Sequence, residues 1–519
     1  AVSACSMGSP AAAMALLRRG AALGASPRAL PTSLRARAVA SSALNSTAEA
    51  TTPLWPVRAG ADALDALAAE QPAAAAWARA TGFDGSCGAT CYVPGEGNPA
   101  APAAVLFGVG DGSEPHQAAG ALPAALPAGT YALETLPGGA TFDVDEADAA
   151  LGFALGAYTF STHKGRKDAK GNSDDDRATL RVSEGTAEAL APIVSGVVLC
   201  RDLINTAPNA MGPAELAAAA QALAEEYDAR IEVITNTADL LERFPMVHAV
   251  GRAAAPGREP RVVDMCWGSE SAPKVTIVGK GVCFDTGGLD VKPPAAMGNM
   301  KKDMGGAANA LGLAKMVMAS GVNVRLRVLL GCVENSIGPD SFRPSDVLTA
   351  ANGITVEVGN TDAEGRLVIA DALALADEEE PELLLDLTTL TGAHRVALGW
   401  DLPGVFTDDE ELAAEIARHS ELARDPTWRL PLWKPYAKKL ASKVADTNNI
   451  STGGLAGAIT AALFLQKFTP KTAKKGYCHI DMNGWNAGQP ILGAMGEGGE
   501  AQSVRAFHSL MLERYGTVN

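Results

Sequence analysis

The chain has 519 residues, 47% of them hydrophobic, and a mean hydropathy of +0.06, which is enough apolar material for a large core and at least two domains. The formal net charge is -16, from 59 acidic against 43 basic residues, so the surface repels polyanions and nucleic acid is excluded as the main partner. No uninterrupted apolar run reaches the roughly 20 residues of a spanning helix, which argues against membrane insertion. Eight scattered cysteines, of which only Cys87 and Cys91 lie close together, supply no zinc-ribbon spacing.

In chain order, the first 48 residues hold five arginines (Arg18, Arg19, Arg28, Arg35 and Arg37) among many Ala and Ser, with no lysine and no acid. That composition predicts a leader over residues 1–50, a mitochondrial or plastid transit peptide, against the alternative of a disordered tail on a cytoplasmic protein. Over 51–182, short apolar runs such as "AAVLFGVG" and "GFALGAYTF" alternate with Ala-rich helical patterns and Pro/Gly punctuation, which predicts a smaller α/β domain. It ends after a charge-dense loop, Thr162 to Arg177.

Residues 183–519 are expected to form the larger domain. A helix pattern at 214–227 precedes strands "RIEVI", "RVVDMCW" and "KVTIVG", a helix over 305–320 and a strand "VRLRVLLG". Strands "LLLDLTTL" and "YCHIDM" and a buried helix near 456–468 complete it. The fold class predicted is α/β, two domains, each with a mixed sheet flanked by helices. Chemistry in such sheets gathers at the carboxyl ends of the strands.

Three turns there carry charge. After "KVTIVG" come Lys280, Asp285, Asp290 and Lys292; Asp303 opens the next helix; and the strand "ITVEVG", expected in the same sheet, leads into "NTDAEGRL" with Asp362, Glu364 and Arg366. Each acid alone reads as a helix-start carboxylate favoured by the dipole. Several converging carboxylates repel and call for raised pKa values or for cations between them. Two divalent ions sharing oxygen ligands would activate water at neutral pH. The seven histidines form no HExxH spacing, so such a site would be carboxylate-dominated, and His479 and Asp481 read as structural residues of a strand. The competing reading is an aspartic-type protease built on "FDTGG", but it requires a second Asp-Thr/Ser-Gly, and the sequence has none.

The segments "VGKGVCFDTGGLDVKP", "MKKDMGGAA", "NTDAEGRLVIADAL" and "LTTLTGA", supported by "RDLINTAPN" and "ADTNNI", resemble the leucyl (cytosol) aminopeptidases of peptidase family M17, from about Leu199 to the C-terminus. The N-terminal part resembles them only in size and position. The resemblance implies two divalent ions, Zn or Mn with Mg or Co as further candidates. Lys280, Asp285, Asp303 and Glu364 would hold the tighter ion, and Asp285, Asp362 and Glu364 the more exchangeable one. It further implies that Lys292 polarises the scissile carbonyl and that Arg366 holds a bicarbonate serving as general base. Met300, Thr389 and Gly392, with the backbone of Leu390, would line a pocket for an N-terminal Leu or Met. Short peptides as substrates and a homohexamer complete the implied picture. Thr286 departs from the family pattern, which has serine there. A second hypothesis, a hexameric scaffold built on the peptidase fold, would be favoured by ligand loss, and the ligand set is intact.

Overall fold

The structure, a computed structural model, describes residues 42–47, 51–95, 98–163, 177–488 and 496–518. The expected leader falls almost entirely outside these residues, as does most of the charged loop, residues 164–176. Two residues of the 1–50 segment are described as a strand: β1 (Leu44–Asn45) pairs in parallel with β6 (Ala178–Arg181). The chain passes from a first compact unit to a second between Val198 and Leu199, inside the helix Glu184–Asn205. That helix begins just after the expected change at 182/183.

The first unit carries a six-stranded sheet. Its strands are β1, β2 (Thr52–Val57), β3 (Thr90–Gly95), β4 (Asn98–Gly108), β5 (Gly129–Leu133) and β6, in the order β1-β6-β5-β2-β4-β3. All neighbours are parallel except β3 against β4. Trp55 and Val57 of β2 pack with Leu64, Leu67 and Ala78 from the helices Ala61–Glu70 and Pro72–Thr81. The apolar run "GFALGAYTF" closes a helix, Glu146–Gly156, whose start is fixed by the Asp145 carboxylate accepting from the Ala147 and Asp148 N–H groups.

The second unit, Leu199–Ala487 with Gly498–Asn519, is organised on eight strands. They are β7 (Arg230–Ile234), β8 (Arg261–Trp267), β9 (Lys274–Asp285), β10 (Arg325–Asn335), β13 (Leu383–Thr388), β14 (Gly404–Phe406), β15 (Trp428–Arg429) and β17 (Tyr477–Asp481). Their order is β15-β14-β17-β13-β9-β10-β8-β7, and the central four, β17, β13, β9 and β10, are mutually parallel. These strands are buried along nearly their whole length, which is why they read as continuous apolar runs. The helix Gly365–Glu378 is buried on almost every face and supplies Leu367, Val368, Ile369 and Leu373 to a core shared with Val278, Val282, Leu329, Val333 and Leu384.

The segment "ITVEVG" does not join this sheet. Its ordered part, β12 (Thr355–Glu357), lies in a separate three-stranded sheet between β11 (Val347–Thr349) and β16 (Thr447–Asn448). Both of its hydrogen-bonding edges are thereby taken, while Val356 and Val358 remain in the main core. The turn "NTDAEGRL" therefore approaches the carboxyl end of the large sheet from beside it.

Candidate metal centre

β9 contributes two of the charged groups. Lys280 and Asp285 are five residues apart, so a regular strand would place them on opposite faces. Against β10, Val282 pairs with Val333 but Phe284 with Glu334, so one extra residue is inserted in β9. Such a bulge reverses the alternation beyond it and brings Asp285 to the side from which Lys280 extends. The chain then turns at Gly287, whose φ of 87° lies in the left-handed region and whose Cβ, were there one, would fall 2.5 Å from the Asp290 carbonyl.

Asp303 does not open an α-helix. It lies in a 3-10 turn, Met300–Met304, and the helix Gly305–Ala319 follows with no side-chain cap. The start of that helix comes close to the sheet because Gly306 has no side chain, and a Cβ there would meet the Leu387 carbonyl at 2.1 Å. Glu364 stands at the N-cap of the helix Gly365–Glu378 and likewise makes no capping bond. Both carboxylates turn inward. Lys280 Nζ lies 2.7 Å from Asp303 Oδ2 and 3.2 Å from Glu364 Oε1, and donates to the Thr389 carbonyl at 3.0 Å. Thr389 Oγ1 in turn sits 2.9 Å from Asp303 Oδ1.

Lys292 Nζ lies 2.8 Å from Asp285 Oδ2 and contacts Asp362 Oδ1, joining the second turn to the first. Asp285 Oδ1 accepts from Asn335 Nδ2 at 2.9 Å and from the Gly287 N–H at 2.8 Å. Thr286 uses its hydroxyl to donate to the Asn335 carbonyl at 2.7 Å, a bond that serine could also make. Asp290 is not part of the cluster; its carboxylate accepts from the Thr361 N–H at 2.7 Å and ties the two turns together. Asn449 brackets "NTDAEGRL": its side chain accepts from Gly359 N–H and donates to the Asn360 carbonyl, and its own carbonyl accepts from Arg366 Nη1 at 2.7 Å.

The ligand oxygens of Asp285, Asp303 and Glu364 all lie within 4.8 Å of one another, and all three residues are buried. Burial, reinforced by the charge of Asp285, pushes the carboxyls of Glu364 and Asp362 above their ordinary values. Burial also raises Asp303 in spite of Lys280. Burial by itself would lower the Lys280 ammonium, but Asp303, Glu364 and Asp285 outweigh it and hold the proton more tightly. Carboxyls that stay under-compensated beside two lysines mark a place short of positive charge. Among the described residues, Glu364 Oε2 is buried with no hydrogen-bond partner. Hard oxygen donors, one of them free and three of them convergent, fit a divalent cation.

Arg366 is buried as well, and burial brings its guanidinium down to about 10 against the opposing pull of Glu364 and Asp481. Its Nε has no hydrogen-bond partner among the described residues, so one donor of a fixed cation is left for a small anion, which fits a bicarbonate. Of the expected pocket residues, Thr389 is buried and committed to Asp303 through its hydroxyl. Met300 shares the 3-10 turn with Asp303, Leu390 is half-buried against the main core, and Gly392 opens the helix Gly392–Leu398. Asn335, Thr361, Asn449 and Asp481 were not singled out as site residues by sequence. Asn335 carried a usable signal, since it ends β10 as Asp285 ends β9.

Comparison with known proteins gives concordant results. The family model for the catalytic domain of the cytosol aminopeptidase family matches residues 198–508, and that for the M17 aminopeptidase N-terminal domain matches residues 53–172. The likeness thus extends into the part that the sequence motifs left unassigned. A probable cytosol aminopeptidase of Rhizobium rhizogenes is 38% identical over 393 residues, 73% of this chain and 77% of the relative. The crystal structure of a cytosol aminopeptidase from Coxiella burnetii superposes with a TM-score of 0.82 at 41% identity, covering 91% of this chain and 99% of that one. The bottromycin maturation enzyme BotP in complex with Mn matches with a TM-score of 0.76 at 29% identity over 90% of this chain and 99% of its own.

Proposed function

The chain belongs to the cytosol aminopeptidase family, an assignment that removes the aspartic-type reading, and on that premise we propose that it is a metal-dependent enzyme releasing N-terminal Leu, Met and similar residues from short peptides. It is an aminopeptidase and a hydrolase. The observation that carries the metal-dependent reading is the buried convergence of Asp285, Asp303 and Glu364 on one point beside Lys280, with Glu364 Oε2 unpartnered among the described residues.

Lys280, Asp285, Asp303 and Glu364 would hold one divalent ion, and Asp285, Asp362 and Glu364 a second. Such a pair supplies Lewis acidity toward the scissile carbonyl and lowers the pKa of water. Lys280 can serve as a ligand only when neutral. Neighbouring dications reverse the local field that now holds its proton, and burial then acts in the same direction. Lys292 has a different part. Burial opposes its charge, while Asp285, Glu364 and the contact with Asp362 raise its pKa in the metal-free site; as an ammonium it would donate to a developing oxyanion.

Arg366, anchored by the Asn449 carbonyl, keeps a positive charge beside the cluster and would hold the bicarbonate that serves as general base. Thr389 and Leu390, set next to Asp303, would place the first side chain of the substrate against an apolar wall with Met300 and Gly392. A homohexameric assembly and delivery to a mitochondrion or plastid belong to the same proposal, the latter supported by the acid-free, Arg-bearing first 48 residues.

The test is hydrolysis of leucyl anilide by purified protein with Mn or Zn, alongside elemental analysis. Turnover that disappears on chelation and in Glu364→Gln is the expected result. Absence of both turnover and bound metal in the native protein would overturn the proposal.

A further inference from the structure

β17 ends at Asp481, which is fully buried and whose register partner is Thr388 at the end of β13. A buried carboxylate is costly unless donors converge on it. Here the Leu390 and Thr391 N–H groups donate to Oδ1 at 3.0 and 3.1 Å, and the Thr391 hydroxyl donates to Oδ2 at 2.6 Å. His394 Nδ1 lies 3.1 Å from Oδ1. Burial alone would raise the carboxyl, but His394, His479 and Thr391 together hold it down to about 2.

The turn gripped in this way is the three-residue link between β13 and the helix Gly392–Leu398. Its other side meets the metal centre: the Thr389 carbonyl accepts from Lys280 Nζ, and the Thr389 hydroxyl donates toward Asp303. One residue of the turn therefore orients two candidate ligands, and the next two peptide N–H groups are fixed by a single carboxylate. Without that carboxylate, both N–H groups would be left in a half-buried place with no acceptor, and the turn would rotate toward other partners. Thr389 cannot rotate without moving Lys280 and Asp303.

We propose that Asp481 is a positioning residue for the metal centre, acting through the Thr389–Thr391 turn on Lys280 and Asp303; the inference rests on the reading of the cluster as a metal site. The residue stands behind the ligands, where outer hydrogen-bond partners set ligand orientation. Leu390 and Gly392 lie in or beside the same turn, so its displacement also reaches the wall expected to hold the substrate side chain.

The test titrates metal-stripped protein with Mn2+ by calorimetry and follows thermal melting and leucyl anilide kinetics. If the unaltered protein binds no Mn2+, the metal reading itself falls, and this inference with it. Given binding, Asp481→Ala, which leaves neither N–H group an acceptor, is expected to melt cooperatively while its affinity for the ion held by Lys280 and Asp303 drops by about 10–100-fold. KM should rise, and added Mn2+ should restore part of kcat, which a merely structural lesion would not permit. Unchanged Mn2+ affinity together with unchanged KM would overturn the proposal. Should Asp481→Ala fail to fold, Thr391→Val, which removes the hydroxyl bond to Oδ2 together with the cap that this hydroxyl gives the His394 N–H, decides: weaker Mn2+ binding by about 10-fold supports the role, and native binding refutes it.

Discussion

Gly365 separates local stability from function in one substitution. It opens the helix Gly365–Glu378, and a Cβ at this position would stand 2.3 Å from Lys280 Cε, 2.7 Å from Nζ and 2.9 Å from Cδ. Carbon atoms settle at about 3.5–4.0 Å, so Gly365→Ala must move the lysine stem by about 1 Å or more. The lysine has little room to move: it is 2% exposed and its Nζ is shared among Asp303, Glu364 and the Thr389 carbonyl. For the helix, alanine is the better residue by about 0.5–1 kcal/mol. Overpacking costs about 1–3 kcal/mol, so the net loss of stability is at most about 2.5 kcal/mol. For the site, a 1 Å displacement of an aligned group costs about 100-fold in rate. The assay pairs a urea melt with kcat/KM on leucyl anilide at saturating Mn2+. Near-native stability with activity down about 100-fold is the expected pattern, and native kcat/KM with native Mn2+ affinity would refute the reasoning.

Asn335→Ala removes the Nδ2 donor to Asp285 Oδ1 and to the Thr361 carbonyl. It should cost about 1–3 kcal/mol of stability and about 10–100-fold in metal affinity, measured by melting and by Mn2+ calorimetry. His508 is fully buried, 2.9 Å from Ser320 Oγ, and burial brings it from 6.5 down to about 4. Because the folded value is depressed, the unfolded chain takes up the proton first as pH falls. The stabilisation is complete above 6.5 and is lost between there and about 4, by up to about 3 kcal/mol. Urea midpoints from pH 7.5 to 4.5 should therefore fall less steeply in His508→Gln than in the unaltered protein, and equal slopes would contradict the assignment.

Much of this protein is legible from sequence because apolar period and turn chemistry act locally. The runs around 274–285, 325–335 and 383–388 become central parallel strands, since strands covered on both faces must be apolar throughout. The charged residues collect at their carboxyl ends, where side chains leave the sheet and helices begin. Lys280, Asp285, Asp303 and Glu364 could be named from their motifs, and the structure brings them together.

The long-range placements were decided by tertiary structure alone. The bulge in β9 arises from pairing with β10, and without it Lys280 and Asp285 would face opposite ways. "ITVEVG" has a strand's composition, but which sheet it joins depends on the edges offered by β11, just before it in the chain, and by β16, some ninety residues on. Asp303 and Glu364 look like helix caps because local preference puts acids there; they turn inward because Lys280 sits in reach across the fold. Asn335, Asn449 and Asp481 act through contacts spanning tens of residues, and no local pattern announces such contacts. Sequence identifies the chemical groups, because composition and spacing are local; packing decides which way each group points.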